Sequence, residues 1–203
     1  MKKKLNIINI DGPQGVGKSS QVALLKNYLD SIGVKCKVLK LQDNIPSAID
    51  CIHQTYRFLE EADGVLITDG SIAEMIQIDI NSGIPYLEIQ EKYREVLHHY
   101  EVMYHAYGMA NILLTIDDLE VCKQRIEKRA KLFKNEPDFI DKKLEKELID
   151  GLKIFNNYMI SLNIKFHVIE TESGEKMLDV HKKIVNILKE NYQVKSLHSE
   201  AYK

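Results

Sequence analysis

A glycine-rich segment near the amino terminus joins a short apolar stretch to a helical pattern. Residues 12–19 read Gly-Pro-Gln-Gly-Val-Gly-Lys-Ser, the complete pattern G-x-x-x-x-G-K-S. The preceding residues 5–10 are mostly leucine and isoleucine, as in a buried strand. Downstream, apolar residues recur at helical spacing: Val22, Leu25, Leu29 and Ile32. This strand–loop–helix unit is typical of a phosphate-binding loop, and it restricts the chain to α/β folds that carry one.

The residue types in this loop suit a triphosphate. Its glycines let backbone N–H groups turn towards an anion, and Lys18 reaches the β- and γ-phosphates. The hydroxyl of Ser19 is a ligand for Mg²⁺, and the amino terminus of the following helix favours negative charge. We therefore predict that ATP and Mg²⁺ bind here. The predicted cofactor-binding residues are Gly12, Gln14, Gly15, Val16, Gly17, Lys18, Ser19 and Ser20.

Composition and charge are those of an ordinary globular protein. Of the 203 residues, 44% are hydrophobic and 29% are charged, which suits one domain with a full core. The net charge of −2 favours neither nucleic acid nor a membrane surface. The apolar run behind the basic start is too short for a signal peptide or a membrane span. The three cysteines lack C-x-x-C spacing, so we expect reduced thiols and a cytoplasmic protein.

Strand and helix patterns alternate along the chain. Apolar segments at 34–41, 65–68, 112–116 and 165–169 resemble further strands, and helical patterns lie between them. This alternation predicts a parallel sheet with helices on both faces, and ligands bind at the carboxyl ends of such strands. We expect one domain over residues 1–190. The segment 191–203 has lost the apolar pattern and is predicted to be a C-terminal tail.

Acidic residues follow two of the predicted strands. Asp69 closes the apolar segment 65–68, an arrangement that holds Mg²⁺ or activates an acceptor, with a helix N-cap as the alternative. We predict that Asp69 is catalytic and that it binds the metal together with Ser19. Asp43 follows the second strand and is a candidate substrate-binding residue, with a role in an Asp-Asn turn as the alternative.

A basic cluster follows the fourth strand. Arg125 and Arg129 are four residues apart and so share one face of a helix. Two neighbouring guanidinium groups repel each other unless an anion lies between them. We predict that both arginines contact a transferring phosphate, with a solvated helix face as the alternative. The charged segment 130–141 is predicted to be a lid.

Together these motifs resemble the thymidylate kinase and deoxyribonucleoside kinase group over roughly residues 5–190. Residues 12–21 are similar to the family's phosphate loop, and residues 120–129 to the helix that carries phosphate-contacting arginines. Residues 168–174 resemble the segment beside the adenine, which implies cofactor contacts from Ser173 and Gly174. The implied fold is that of P-loop nucleoside triphosphate hydrolases, with a five-stranded parallel sheet in the order 2-3-1-4-5, helices on both faces and a small lid.

The resemblance implies an ATP- and Mg²⁺-dependent kinase that phosphorylates a nucleoside monophosphate, with dTMP as the first acceptor. Gln14 stands where the family usually has an acid, and Gly70 where an arginine follows the acid. The segment between residues 43 and 69 is shorter than in thymidylate kinases, whose arginine for the acceptor phosphate lies there, and Arg57 and Arg94 are candidates to bind the substrate instead. The alternatives are a deoxynucleoside kinase acting on the 5′-hydroxyl, a kinase of another small molecule, and a nucleotide-binding module without transfer activity.

A tyrosine repeat marks the helical region before the fourth strand. The repeat has a seven-residue period, with Leu97 and Tyr104 on the same face. Its members are Tyr86, Tyr93, Tyr100 and Tyr107. One interpretation is a buried stripe. Because tyrosine suits interfaces, the resemblance adds a second interpretation, in which this helix packs across a homodimer.

Overall fold

Strands and helices alternate in the computed structural model, which describes residues 3–40, 47–61, 64–72, 76, 79, 83–116, 118–133, 159 and 163–193. The described strands are β1 (Lys3–Lys4), β2 (Ile7–Asp11), β3 (Cys36–Lys40), β4 (Val65–Asp69), β5 (Met109–Ile116), β6 (Phe166–Thr171) and β7 (Tyr192–Gln193). The described helices are α1 (Lys18–Ser31), α2 (Ala48–Glu61), α3 (Tyr86–Lys92), α4 (Arg94–Ala106), α5 (Leu119–Phe133) and α6 (Met177–Asn191). Asp43 and most of the predicted lid lie outside the described residues.

Five strands form one parallel sheet in the order β3-β4-β2-β5-β6. Counted along the chain, this order is 2-3-1-4-5, so the predicted fold class is confirmed. The first of the five, β2, is central and pairs with β4 on one side and β5 on the other. Because the strands are parallel, their carboxyl ends share one edge of the sheet, and Asp11 and Asp69 both lie there.

Two apolar cores cover the two faces of the sheet, because successive side chains of a strand point to opposite faces. Ile8 belongs to a core with α1 and α6, which includes Leu25 and Ile184. Its neighbour Ile7 belongs to a core with α2 and α4, which includes Ile52. The central strand is therefore apolar on both faces near its start, as expected for a parallel sheet covered by helices.

The described side chains of the tyrosine repeat pack into the protein's own core. Tyr93 and Tyr100 are buried in the core with α2 and α4, together with Leu97 and Tyr104 on the same face. Tyr107 packs against this cluster, and the side chain of Tyr86 lies outside the described part of the chain. The buried-stripe interpretation is thus correct for the described members. The packing of this helix across a homodimer stays a prediction.

The amino and carboxyl ends of the described chain pair with each other. In β1 and β7, Lys3 lies opposite Tyr192, and Lys4 lies opposite Gln193. Tyr192 is buried, and its hydroxyl donates a hydrogen bond of 3.2 Å to the carbonyl of Met109. Strand pairing thus continues to Gln193, past the predicted boundary at residue 190, which stays a prediction. One anchoring tyrosine leaves no periodic pattern in the sequence.

Two further features concern the thiols and the membrane. Cys36, Cys51 and Cys122 are free thiols. Burial raises the pKa of the Cys51 thiol to about 11, so this thiol stays protonated near neutral pH. Among the helices that the structure describes, none is long and apolar enough to cross a membrane.

The burial of Leu25 provides a test of the core on the α1 and α6 face. Leu25 is fully buried in α1, so Leu25→Ala is expected to lower the free energy of unfolding by about 2–5 kcal/mol. Leu178→Ala is the matched control, because Leu178 lies in α6 with 57% of its surface exposed. Its effect should stay within about 0.5 kcal/mol. Urea unfolding measures both, and equal losses would contradict this assignment of the core.

Candidate active site

The phosphate loop is pressed against β5 and α5 through two glycines. Gly12 and Gly15 have φ angles of 147° and 81°, in the region that side chains rarely adopt. A Cβ on Gly12 would lie 2.4 Å from the carbonyl oxygen of Leu114, and one on Gly15 would lie 2.7 Å from that of Cys122. Only glycine fits at either position, because both backbone conformation and space exclude a side chain.

The loop leads directly into the amino terminus of α1. The helix begins at Lys18, and its first turn carries no acidic side chain. The Lys18 ammonium group is almost buried and donates a hydrogen bond of 2.6 Å to the carbonyl of Gly12. A cation and the positive end of a helix dipole thus lie together, which is the electrostatic requirement for binding a phosphate.

A cavity of about 280 Å³ opens between this loop, β4 and α5. It brings together predicted residues from three segments that are distant in sequence. The lining residues are Pro13, Gln14, Gly15, Gly17, Lys18, Ser19, Ser20, Asp69, Arg125 and Ile126. The cavity lies at the carboxyl edge of the sheet, where parallel α/β sheets bind their ligands.

The oxygen donors in this cavity suit Mg²⁺. The hydroxyl-bearing Ser19 and the carboxylate of Asp69 line the same space. Among the residues that the structure describes, no group of three or more His, Cys, Asp or Glu side chains could hold a metal. Mg²⁺ usually binds through one or two protein oxygens plus substrate phosphates and waters, rather than in an all-protein cage. The donor set therefore fits a metal that arrives with a nucleotide.

The two predicted arginines of the basic cluster lie on α5. One nitrogen of Arg125, Nη1, donates to the carbonyls of Gly15 and Val16, at 3.3 Å in each case. Its guanidinium group therefore contacts the phosphate loop at the wall of the cavity. Arg129 lies one turn further along α5, and its side chain is not among those described.

A second cavity, of about 210 Å³, is also lined by Arg125. It shares Gly17, Ser20 and Arg125 with the first cavity. The remaining lining residues are Val16, Gln21, Thr171, Glu172, Glu175, Met177 and Val180. The predicted Ser173 and Gly174 are exposed in the turn between two of these residues and do not line the cavity themselves.

The two arginines predicted to bind the substrate lie away from both cavities. Arg57 is exposed on α2, and Arg94 is the first residue of α4. The guanidinium group of Arg94 lies 3.9 Å from the carboxylate of Glu91, and both side chains are 78% exposed. The described structure thus does not bring either arginine to the site.

Gly70 replaces the expected arginine in a conformation that favours glycine. Its φ angle is 84°, and its N–H donates a hydrogen bond of 3.0 Å to the carbonyl of Ile10. An arginine at this position would be strained. The departure from the family pattern is therefore accompanied by a left-handed backbone at the end of β4.

Two polar residues at this edge escaped the sequence analysis. Asp11, the last residue of β2, is fully buried, and it accepts a hydrogen bond of 2.9 Å from the hydroxyl of Ser71. A signal for Asp11 is present in the sequence, because Asn9 and Asp11 alternate with isoleucine in an otherwise apolar strand. Burial raises the pKa of the nearby Tyr100 well above its usual value, and the charge of Asp11 raises it further.

Comparisons with known proteins show which fold this is. No protein-family model and no curated protein sequence matches the chain. A solved structure of deoxyadenosine kinase from M. mycoides, with dCMP and dCDP bound, shares 12% identity at a TM-score of 0.54 and covers 91% of this chain and 98% of its own. Thymidylate kinase from Ehrlichia chaffeensis shares 14% at 0.54, covering 91% and 99%. Thymidylate kinase from Candida albicans shares 14% at 0.55, covering 93% and 92%.

These matches span nearly the whole chain, and the resemblance stated from the sequence is confirmed at the level of the fold. The chain has the fold of the thymidylate and deoxyadenosine kinases, with the five-stranded parallel sheet and the phosphate loop in the expected order. At this identity the likeness concerns the fold, and the roles of individual site residues stay predictions.

The contact of Gly15 with α5 can be tested against a glycine in open space. Gly15→Ala is expected to displace the phosphate loop and to weaken ATP binding at least about tenfold, since its Cβ would overlap the Cys122 carbonyl. Gly83→Ala is the matched control: its φ of 78° imposes similar backbone strain, but nothing lies within 4 Å of the added Cβ. Titration calorimetry with ATP compares the two, and equal affinities would contradict the proposed loop geometry.

Proposed function

We propose that this protein is a nucleotide or nucleoside kinase, which transfers the γ-phosphoryl group of ATP in a Mg²⁺-dependent reaction. The first acceptor to test is dTMP. The observation that carries the proposal is the single cavity lined by Lys18, Asp69 and Arg125, which come from three separate segments. Structures with the same fold, from thymidylate and deoxyadenosine kinases, support the same class of reaction.

Each proposed role follows from the charge and position of the side chain. Bound ATP with Mg²⁺ supplies the phosphoryl group and neutralises part of its charge. Lys18 and the loop amides bind the β- and γ-phosphates, while Ser19 and Asp69 hold the metal. Arg125 and Arg129 stabilise the charge on the transferring group. Phosphoryl transfer asks mainly for such positioning and electrostatic stabilisation.

The second cavity is the proposed site of the adenine base. It adjoins the phosphate loop through Gly17 and Arg125, and Met177 and Val180 give it an apolar wall. A flat aromatic base suits a pocket that combines apolar side chains with an arginine. The predicted contacts of Ser173 and Gly174 belong to the turn beside this cavity.

We also propose a cytoplasmic location, consistent with the free thiols.

A second candidate acceptor is the 5′-hydroxyl of a deoxynucleoside. Gly70 stands where the family usually has a cation, and its positive φ disfavours any residue that carries a Cβ. A monophosphate acceptor is already anionic and needs a cation to hold it. A hydroxyl acceptor instead benefits from a carboxylate that accepts its proton, and Asp69 lines the cavity. Asp43 is a further candidate for the carboxylate that accepts this proton.

The deciding assay measures transfer from labelled ATP to a panel of deoxynucleosides, their monophosphates and unrelated small-molecule alcohols. Transfer is expected to one acceptor class and to stop when EDTA removes Mg²⁺. Lys18→Ala should lower kcat/KM at least about 100-fold, because it removes a cation aimed at the transferred charge. The control Lys26→Ala, also in α1, removes an exposed ion pair with Asp30 and should have little effect.

The outcomes of this assay separate the alternatives. Labelled dTDP supports the monophosphate reaction, whereas labelled dTMP formed from thymidine supports the nucleoside reaction. ATP binding without any labelled product would overturn the kinase proposal in favour of a binding module.

The arginines provide an independent comparison. Arg125→Ala is expected to lower kcat about 100-fold or more, since its guanidinium group lies at the cavity wall. Arg94→Ala should change kcat/KM less than twofold, because this side chain is exposed and paired with Glu91. Steady-state kinetics on both variants decide between the structural placement and the sequence prediction. A large loss in Arg94→Ala would support the role predicted from the sequence.

A further inference from the structure

A ladder of buried polar side chains crosses the centre of the sheet beneath the candidate active site. The hydroxyl of Thr68 on β4 donates to the Asn9 Oδ1 on β2, at 2.7 Å. The Asn9 Nδ2 donates to the Asn111 Oδ1 on β5, at 2.8 Å. Three neighbouring strands are thus joined by side chains as well as by their backbones. All three residues are buried on the face that carries α4.

Tyr100 connects this ladder to α4. Its hydroxyl donates a hydrogen bond of 2.6 Å to the Asn111 Oδ1 and accepts one of 3.0 Å from the Asn9 Nδ2. Burial raises the pKa of Tyr100, and the charge of Asp11 raises it further, so the hydroxyl stays protonated and able to donate. Tyr100 therefore joins α4 to the ladder, which ends at Thr68, the residue directly before Asp69.

The edge itself is tied together by two hydrogen bonds. The N–H of Gly70 donates to the carbonyl of Ile10, and the hydroxyl of Ser71 donates to Asp11. Asp11 directly precedes the phosphate loop, and Asp69 directly precedes Gly70. These bonds therefore connect the turn that follows Asp69 with the residue from which the loop begins.

We propose that Tyr100 is a positioning residue. Its hydroxyl holds Asn9 and, through Asn9, Thr68 in place, and so sets the position of Asp69, the next residue of β4, relative to the phosphate loop. The proposal rests on the proposed function only in taking Asp69 as the carboxylate beside the metal. Burying so many polar groups where apolar side chains would pack is unfavourable unless each bond is made. A network of this kind fixes geometry, and here it ends beside the cavity.

The test compares two tyrosines of the same helix. Tyr100→Phe removes the hydroxyl from the ladder, and Ser71→Ala removes the contact at the edge. The matched control is Tyr104→Phe, because the Tyr104 hydroxyl is also buried and accepts a hydrogen bond of 3.1 Å from the Lys165 N–H, at the opposite end of the sheet. Tyr104→Phe loses one buried hydrogen bond and Tyr100→Phe loses two, so the melting temperature should fall by about 2–4 °C in the control and by at least as much in Tyr100→Phe.

Two readouts distinguish positioning from a purely structural role. In the ligand-free protein, hydrogen exchange at the Gly70 amide, relative to core amides of α1, should rise about tenfold in Tyr100→Phe and Ser71→Ala. It should be unchanged in Tyr104→Phe. In the presence of ATP, the affinity for Mn²⁺ measured by electron paramagnetic resonance should fall about tenfold in the same two variants, while ATP affinity without metal stays constant.

The proposal and the kinase assignment fail in different ways. If the wild-type protein does not bind Mn²⁺ with ATP, the proposed function is wrong, and the ligand-free exchange measurement still decides the role of Tyr100. If exchange at Gly70 in Tyr100→Phe equals that in Tyr104→Phe, the positioning role is overturned. Faster exchange at Gly70 with unchanged Mn²⁺ affinity would also overturn it, since the turn would then move without affecting Asp69.

Discussion

The pairing of β2 with strands on both sides is the constraint from which the site follows. Because β4 and β5 run parallel to it, all three strands end at the same edge, and the residues after each strand are brought together. Asp69 ends β4 in register with Ile10, one residue before Asp11 and two before the phosphate loop begins. Without this register, the loop and the carboxylate would not face one cavity.

The contacts around the loop then set its shape. Gly12 and Gly15 approach backbone carbonyls of β5 and α5 more closely than any side chain allows, and Arg125 binds the carbonyls of the loop from α5. The loop is thus supported by contacts with both β5 and α5. On the opposite face of the sheet, hydrogen bonds between buried polar side chains join the three strands that end at the site. The site is therefore held by packing on one face and by polar contacts on the other.

Much of the fold could be predicted from the sequence because its signals are local. The phosphate-loop pattern, the apolar strands and the helical periodicity each depend on neighbouring residues, and together they predicted a parallel sheet with helices on both faces. The strand order was implied by the family resemblance, and the sheet has that order. Lys18, Ser19, Asp69 and Arg125 were predicted as site residues, and they do line one cavity. Arg57 and Arg94 were chosen for their charge alone, and the structure places them on the surface. Ser71, Asp11 and Tyr100 were missed as a group because their contacts join residues far apart in the chain. Tyr192 was missed because a single anchoring side chain has no period.

The most direct test of this account is a crystal structure with Mg²⁺ and a non-hydrolysable ATP analogue. We expect the triphosphate in the cavity of the phosphate loop, with the Lys18 ammonium group on the β- and γ-phosphates and the metal bound by Ser19 and Asp69. The base should lie in the second cavity, beyond Arg125. A triphosphate bound elsewhere, or a metal that does not approach Asp69, would contradict the assignment of this edge of the sheet as a phosphoryl-transfer site.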